Sequence, residues 1–188
     1  VAPFNWAGGT FPGTLGDCTA TLAAGATCKV DVEFAPSTAG LQTGTFTINY
    51  NDGVAAQTSD RDVSGTGVTP GVLTISDGAI YDFGSVVVGN QIDYVFTVFK
   101  TGATDATAII ETGLAAPYTF PGGSYPGSGG TCGAVISVDC TIVVRFRPTT
   151  AAVGINDTIE LSYFDGAASQ VADRDITGTG STPASINI

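Results

Sequence analysis

One sequence pattern occurs twice in this chain. Each copy contains, in the same order, an aromatic-Pro-Gly segment, two cysteines, an alternating segment ending in Phe-x-Pro, an Asp-Gly pair, an Asp-Arg-Asp triplet and Gly-Thr-Gly. Asp62 and Asp175 hold matching positions and lie 113 residues apart. A repeat of that length has the size of one β-sandwich domain, so we expect one domain design to be used in both halves.

The segment after the second cysteine of each copy alternates in polarity. From Cys28 to Phe34, apolar residues occupy every second position and charged residues lie between them. The second copy keeps the apolar positions from Cys140 to Phe146 but changes the residues between them. Because successive side chains of a strand point to opposite faces, the pattern predicts a strand with one buried face. With 26 Gly and 9 Pro, which disfavour helix interiors, the predicted fold class is all-β.

The end of each copy is marked by turn residues. A second alternating strand is followed by an Asp-Gly turn, a last strand, and then Gly-Thr-Gly and Thr-Pro, which predict a hinge between domains. We therefore predict residues 1–70 to be the C-terminal part of one repeat and 71–183 to be a complete repeat. Residues 184–188 are predicted to be the first strand of a following repeat.

The first copy has no counterpart of residues 72–114, in which we predict strands at 72–76, 92–99 and 108–112. A sandwich without these strands exposes an apolar face and unpaired edges, which something must cover. Upstream residues of a longer polypeptide are the favoured source, and strand donation by a neighbouring chain is the alternative. The predicted partners are thus neighbouring repeats of the same or of identical chains.

The four cysteines allow three disulfide pairings. Because each copy holds its own pair, the repeat favours Cys18 with Cys28 and Cys132 with Cys140. A zinc site is disfavoured, since the sequence has no His and the Cys spacings are too long for a zinc knuckle. Disulfides predict an oxidising compartment, and so an extracellular or cell-surface location.

The charge of the chain excludes some partners. Six Lys and Arg against 17 Asp and Glu give a net charge of −11, which repels nucleic acid and anionic lipid. No apolar run approaches the roughly 20 residues of a membrane-spanning helix. We therefore predict neither a nucleic-acid partner nor a membrane span.

The Asp-Arg-Asp triplets are the candidates for ordered surface chemistry. On an extended strand the two aspartates of a triplet point one way and the arginine the other. Carboxylates about 7 Å apart could hold Ca²⁺ or act as a glycosidase pair. Pairing across strands or salt bridging is the favoured interpretation, and no cofactor other than calcium is predicted. The calcium alternative has as its ligands Asp60, Asp62, Asp173 and Asp175.

Several aromatic residues fall in Pro- and Gly-rich segments near the expected ends of the sandwiches. Exposed rings there could stack on sugars or contact a partner, although filling the core beneath the loops is favoured. These residues are Trp6, Phe11, Tyr118, Phe120 and Tyr125.

The segment Phe83-Gly84-Ser85-Val86-Val87-Val88-Gly89 precedes an alternating strand, the Cys pair, Phe-x-Pro and Gly-Thr-Gly. With these motifs the chain resembles bacterial choice-of-anchor D repeats, relatives of the abnormal-spindle and hydin class of immunoglobulin-like modules. The resemblance implies tandem immunoglobulin-like β-sandwich repeats, strung along large surface or secreted proteins and carrying no catalytic residues. The first copy has no such opening motif, which implies that it lacks its N-terminal strands.

The sequence contains no evident constellation of nucleophile, base and metal, so we predict that the protein is not an enzyme. The predicted function is a structural or adhesive extracellular repeat module, a building block of a cell-surface stalk, fibre or filament. The alternative is a carbohydrate- or protein-binding module of a larger secreted protein.

Overall fold

The computed structural model describes residues 3–186 of the chain. It forms two compact units, Val1–Thr69 and Pro70–Ile188, hereafter the first and the second unit. Residues 3–186 contain no α-helix, and their regular structure is almost entirely strand. The predicted all-β class is thereby confirmed, whereas the finer prediction of tandem immunoglobulin-like sandwiches stays a prediction.

The first unit consists of two separate two-stranded antiparallel sheets. Its strands are β1 (Phe4–Trp6), β2 (Val32–Phe34), β3 (Gly40–Asn51) and β4 (Ala56–Gly67), and a 3₁₀ turn, Ala7–Gly9, follows β1. β1 pairs with β2, and β3 forms a long hairpin with β4. The register of this hairpin is unbroken from Gly40 opposite Gly67 to Asn51 opposite Ala56.

The second unit has one five-stranded and one four-stranded sheet. Its strands are β5 (Val72–Ile75), β6 (Ile80–Val87), β7 (Ile92–Thr101), β8 (Ala106–Thr112), β9 (Tyr118–Thr119), β10 (Val135–Ile136), β11 (Cys140–Phe146), β12 (Ala152–Phe164) and β13 (Ser169–Ser181). The five-stranded order is β10-β8-β12-β13-β6, and the four-stranded order is β5-β7-β11-β9. β6 joins β13 in parallel, while the other described pairs are antiparallel. Residues 182–186 form no strand, and Asn187 and Ile188 lie outside the described residues.

The core of the second unit draws on both of its sheets. Leu161 of the five-stranded sheet and Ile142 of the four-stranded sheet are fully buried in the same apolar cluster. Phe146 stacks on Tyr118 with ring centroids 4.8 Å apart, and the Phe83 ring lies 5.8 Å from Phe146. The alternating residues predicted to point inward on β11 and β12 therefore form this core.

An aspartate closes the long hairpin of each unit. Asp165 accepts backbone N–H bonds of 2.7 Å from the second and third residues after it, and a third bond from the Gln170 amide. Asp52 accepts the same three bonds, the last from Gln57. Because the backbone N–H groups stabilise the charged carboxylates, the pKa values of Asp165 and Asp52 fall below their ordinary value.

The Gly-Thr-Gly segments lie in the last residues of β4 and β13 and serve a packing role. A Cβ on Gly178 would lie 2.6 Å from the Phe146 ring, and one on Gly65 would lie 2.8 Å from Phe34. Such distances leave no space for a side chain unless the ring moves. The glycines are therefore a requirement of strand packing, which corrects the interpretation of this segment as a hinge.

Candidate functional site

The first unit presents an apolar surface that its own strands only partly cover. We call it the open face. Phe4 is buried, and the other members are only half-buried. The open face comprises Phe4, Trp6, Phe34, Phe46, Ile48 and Val63.

The matching positions of the second unit are all buried. Leu161 there corresponds to Ile48 and Ile176 to Val63, and they are 0% and 1% exposed. In the second unit β6 and β8 flank the hairpin that carries them and β7 belongs to the other sheet, and none of these three strands has a counterpart among residues 3–69. The open face is thus an inward-facing surface whose covering strands are absent from the described part of the first unit.

Two grooves lie along the open face and the adjoining hairpin. One, of about 470 Å³, is lined by β1 and β3 and includes Phe4, Trp6 and Phe46. The other, of about 420 Å³, runs between β3 and β4 beside Thr45 and Val63. Aromatic contacts shape the first groove, since the rings of Trp6 and Phe46 lie 4.8 Å apart. The lining of the first groove combines aromatic rings with polar groups, whereas that of the second is mostly polar.

Periodicity places Phe34, Phe46 and Ile48 on inward faces, but it does not identify Phe4 as a member of the open face. Gly44 interrupts the inward series of β3, because a Cβ at this position would lie 3.1 Å from the Phe4 ring. Comparing the two copies position by position is the signal that identifies the face, since every member aligns with a buried residue of the second unit.

The aspartates of the triplets bind threonines on the neighbouring strand. The hydroxyls of Thr45 and Thr47 donate to Asp62 and Asp60, each at 2.7 Å. In the second unit the Thr158 hydroxyl donates to Asp175 at 2.8 Å. These are the cross-strand partners given by the hairpin register.

Asp173 differs from the other three aspartates, because it lies opposite Glu160. Glu160 accepts a hydrogen bond of 2.8 Å from the Thr112 hydroxyl. None of the four triplet aspartates belongs to a group of three or more metal-ligating side chains within residues 3–186. Calcium binding by Asp60, Asp62, Asp173 and Asp175 stays a prediction.

The arginines of the triplets do not form ion pairs with these aspartates. Arg174 donates to the backbone carbonyl of Ile75, and Arg61 is exposed. Within residues 3–186 the one ion pair joins Arg145 to Asp93 at 2.7 Å. This hydrogen bond from Arg145 lowers the pKa of Asp93. Three of the four triplet aspartates, Asp60, Asp62 and Asp175, are therefore paired across strands through threonine hydroxyls.

Each unit contains one disulfide. Cys18 is bonded to Cys28, and Cys132 to Cys140, and the described residues include no free cysteine. Asp17 lies beside the first bond, where its carboxylate accepts the Lys29 N–H at 2.5 Å. The carboxylate of Asp17 and the sulfurs of Cys18 and Cys28 lie close enough together to suggest a metal site. Because the two sulfurs are bonded to each other, neither is a thiolate that could bind a metal.

The aromatic residues of the Pro- and Gly-rich segments differ in exposure between the two units. Tyr118 and Phe120 are buried in the second unit, and burial raises the pKa of Tyr125 to about 12. Phe11, by contrast, is 43% exposed and meets Trp6 edge to face at 5.2 Å. Aromatic groups accessible to a ligand are thus found in the first unit.

A half-buried carboxyl group, that of Glu111, holds the turn after β8. The Leu114 N–H donates to Glu111 at 3.1 Å. Burial raises the pKa of Glu111, and the charges of Asp157 and Glu160 add to the rise. Asp157 in turn accepts the Ala115 N–H at 2.8 Å. The two carboxyl groups therefore anchor the segment that leads into β9.

No protein-family model matches the chain, and no curated protein gives a significant match. Among solved structures, it is similar to a family 123 glycoside hydrolase from Clostridium perfringens, described for glycolipid glycan hydrolysis, with a TM-score of 0.38 and 5% identity. It is also similar to an endo-fucoidan hydrolase of glycoside hydrolase family 107, with a TM-score of 0.34 and 16% identity. The matches cover 61% and 80% of this chain but only 28% and 20% of those proteins.

Both neighbours contradict the prediction that the chain is not an enzyme, and we withdraw it. That prediction relied on the absence of an evident constellation of nucleophile, base and metal, and it ranked structural pairing of the Asp-Arg-Asp carboxylates above their use as a glycosidase pair. The 17 acidic residues mean that composition could not exclude such chemistry. At these TM-scores, the likeness assigns neither a fold family nor an activity to this chain.

Among the described residues, no helix is long and apolar enough to cross a membrane. The two disulfides are consistent with an extracellular or secreted protein, because such bonds persist in oxidising compartments.

Proposed function

We propose that the chain is an extracellular structural or adhesive repeat module, part of a cell-surface stalk, fibre or filament built from tandem immunoglobulin-like sandwiches. The observation that carries the proposal is that both units use the same internal supports. Each has its own disulfide, an aspartate closing its long hairpin, and glycines packed against a phenylalanine ring.

Stabilising contacts that recur in each unit are typical of tandem repeat proteins. When each unit carries its own stabilising contacts, units can be added along a chain without redesign of the core. The two disulfides restrict the unfolded chain within each unit, which helps a glycine-rich domain to persist outside the cell. The net charge of −11 favours solubility of an exposed array.

Immunogold electron microscopy on producing cells, with antibodies raised against the purified chain, tests this proposal. We expect gold particles on the cell surface or along filaments. Peptide mapping of the native material by mass spectrometry should find both disulfides oxidised within their own units. Labelling confined to the cytoplasm, or reduced cysteines in native material, would contradict the proposal.

A second candidate function, binding of a carbohydrate through the first unit, is favoured by the exposed Phe11 ring beside Trp6. Paired aromatic rings at a surface can stack on sugar rings. A glycan array probed with the intact chain tests this function, and binding that survives Phe11→Ala would exclude this site.

A further inference from the structure

We propose that Tyr81 and Tyr94 form an oxidative cross-linking site, at which a haem peroxidase with hydrogen peroxide joins the two phenol rings by a carbon–carbon bond. The product is a dityrosine that links β6 to β7. The inference concerns a covalent modification of the second unit and does not depend on the structural or adhesive role proposed above.

The rings of Tyr81 and Tyr94 stack on each other. Their centroids lie 4.0 Å apart, and their planes are inclined by 24°. Within residues 3–186, no other ring contact joins two tyrosines. Two phenoxyl radicals formed here would already be neighbours, so coupling within one chain has a large advantage over coupling between chains.

The position of the pair at the border of the core makes the rings reachable. Both rings are half-buried, and both contact Phe96 edge to face, at 5.1 and 4.9 Å. By contrast, Tyr118 and Tyr163 are only 1% and 6% exposed. A dissolved oxidant therefore reaches the stacked pair more readily than it reaches those two tyrosines, and the half-buried rings have room to turn edge to edge.

Asp77 supplies the proton acceptor that oxidation of a phenol requires. The Tyr94 hydroxyl donates to Asp77 at 3.0 Å, and this bond raises the pKa of Tyr94. Burial raises the pKa of Tyr81, and Tyr94, Asp77 and Asp82 add to the rise through their charges. Both phenols therefore keep their protons near neutral pH. A carboxylate that already accepts the hydroxyl can take the proton as the electron leaves.

The coupling balances with hydrogen peroxide as the oxidant. Each phenol gives up one electron and one proton, and the two radicals form a bond between ring carbons next to the hydroxyl groups. The hydrogens on these two carbons then move to the oxygens, which restores both phenols. The two electrons and two protons reduce one hydrogen peroxide to two molecules of water.

The new bond would join the two sheets of the second unit. β6 belongs to the five-stranded sheet, whereas β7 belongs to the four-stranded sheet. The disulfide of this unit, in comparison, closes a segment with a sequence separation of only 8 residues. Dityrosine would therefore hold together parts of the unit that the disulfide does not connect.

Treatment of the intact chain with a haem peroxidase and hydrogen peroxide tests the inference. We expect dityrosine fluorescence in a monomeric product whose mass is lower by two hydrogen atoms. Asp82 and Asp93 lie between the two tyrosines, so a protease that cleaves before aspartate places the tyrosines on separate peptides. Mass spectrometry should find these two peptides joined, and this measurement needs no variant.

Conservative variants separate the stacked pair from the other tyrosines. Tyr81→Phe and Tyr94→Phe keep the ring but remove one phenol, so each should abolish the product. Tyr50→Phe is the control, because Tyr50 is 51% exposed and has no part in the pair, and it should leave the product unchanged. Asp77→Asn should slow coupling about tenfold. Asn tolerates the φ of 74° at this position, so the loop should keep its conformation.

Four results would overturn the proposal. They are the absence of a monomeric dityrosine product, a cross-link that maps to other tyrosines, a product that persists in either phenylalanine variant of the pair, and an unchanged rate in Asp77→Asn. Circular dichroism of each variant shows that a lost product does not come from a lost fold.

Discussion

The two units place the same side-chain types at matching positions and bury them to different extents. Leu161 is fully buried, whereas its counterpart Ile48 is half-exposed, and Phe146 differs from Phe34 in the same way. Yet the hairpin, its closing aspartate and the glycine contacts with the aromatic ring are the same in both units. Local geometry here depends on short-range contacts, while burial depends on strands brought in from elsewhere.

Truncating the matching phenylalanines should produce the largest difference between the units. Phe146→Ala removes a fully buried ring and should destabilise the second unit by about 4 kcal/mol. Phe34→Ala should cost the first unit about half as much, because water already reaches the ring. Hydrogen exchange read by mass spectrometry reports on each unit separately. Equal losses would mean that the first unit is as well packed as the second.

Removing the disulfides compares how far each unit depends on covalent support. The closed loops are similar, with separations of 10 and 8 residues, so each bond should contribute about 2.5 kcal/mol in the chain-entropy model. Because the first unit has fewer buried side chains, Cys18→Ala with Cys28→Ala should disorder it. The matched pair, Cys132→Ala with Cys140→Ala, should only weaken the second unit. Thermal unfolding followed by circular dichroism measures the loss of structure in both variants. A larger loss in the variant without Cys132 and Cys140 would contradict the prediction.

Replacing the packed glycines should lower the free energy of unfolding less than these changes. As with the phenylalanines, the second unit should lose more than the first. Gly178→Ala forces a methyl group against a ring that the core holds in place, and we expect a loss of about 2 kcal/mol. Gly65→Ala meets the Phe34 ring, which can turn toward solvent, so about 1 kcal/mol is expected. Urea unfolding of the two variants measures the difference, and a larger cost at Gly65 would contradict the ranking.

The smallest effect concerns the aspartates that close the hairpins. Their pKa values are lowered in the folded protein, so their contribution is complete above the ordinary value of 3.8 and is lost as the pH falls through the folded pKa. Asp165→Asn should make the free energy of unfolding of the second unit, and of that unit alone, depend less on pH in the acid range. Asp52→Asn, the matched control, should do so for the first. NMR titration of both carboxyl groups checks the direction, and a raised pKa at either would be inconsistent with it.

The all-β class and the inward positions of β11 and β12 could be predicted, because alternation in polarity reports directly which face is buried. The parallel pairing of β6 with β13 could not, since no local pattern states which edge of a hairpin a distant strand will join. The same limit applies to the candidate site. The carboxylates of Asp60 and Asp62 were evident, but their threonine partners depend on the register of β3 against β4.

The Gly-Thr-Gly segment was misread for a related reason. Glycine next to a Thr-Pro pair favours a hinge, and only the neighbouring ring reveals that the segment is a strand pressed against Phe34. The exposed state of the open face was expected from the missing strands, while the stacked Phe4 and Phe34 rings needed the structure. The prediction that the chain is not an enzyme was wrong to rely on a missing constellation of nucleophile, base and metal, because the sequence does not reveal whether two carboxyl groups lie at the separation that glycoside hydrolysis needs.

The hairpin of β12 and β13 has a consequence for the order of folding. Its strands are joined by a short turn, so it can close within microseconds. β6 precedes that hairpin by most of the second unit and pairs with β13 only after a long loop is closed, which is slow. We expect an early rise of hairpin protection, followed by a slower step in which Phe83 becomes buried. Pulse-labelled amide exchange during refolding should show β12 and β13 protected before β6.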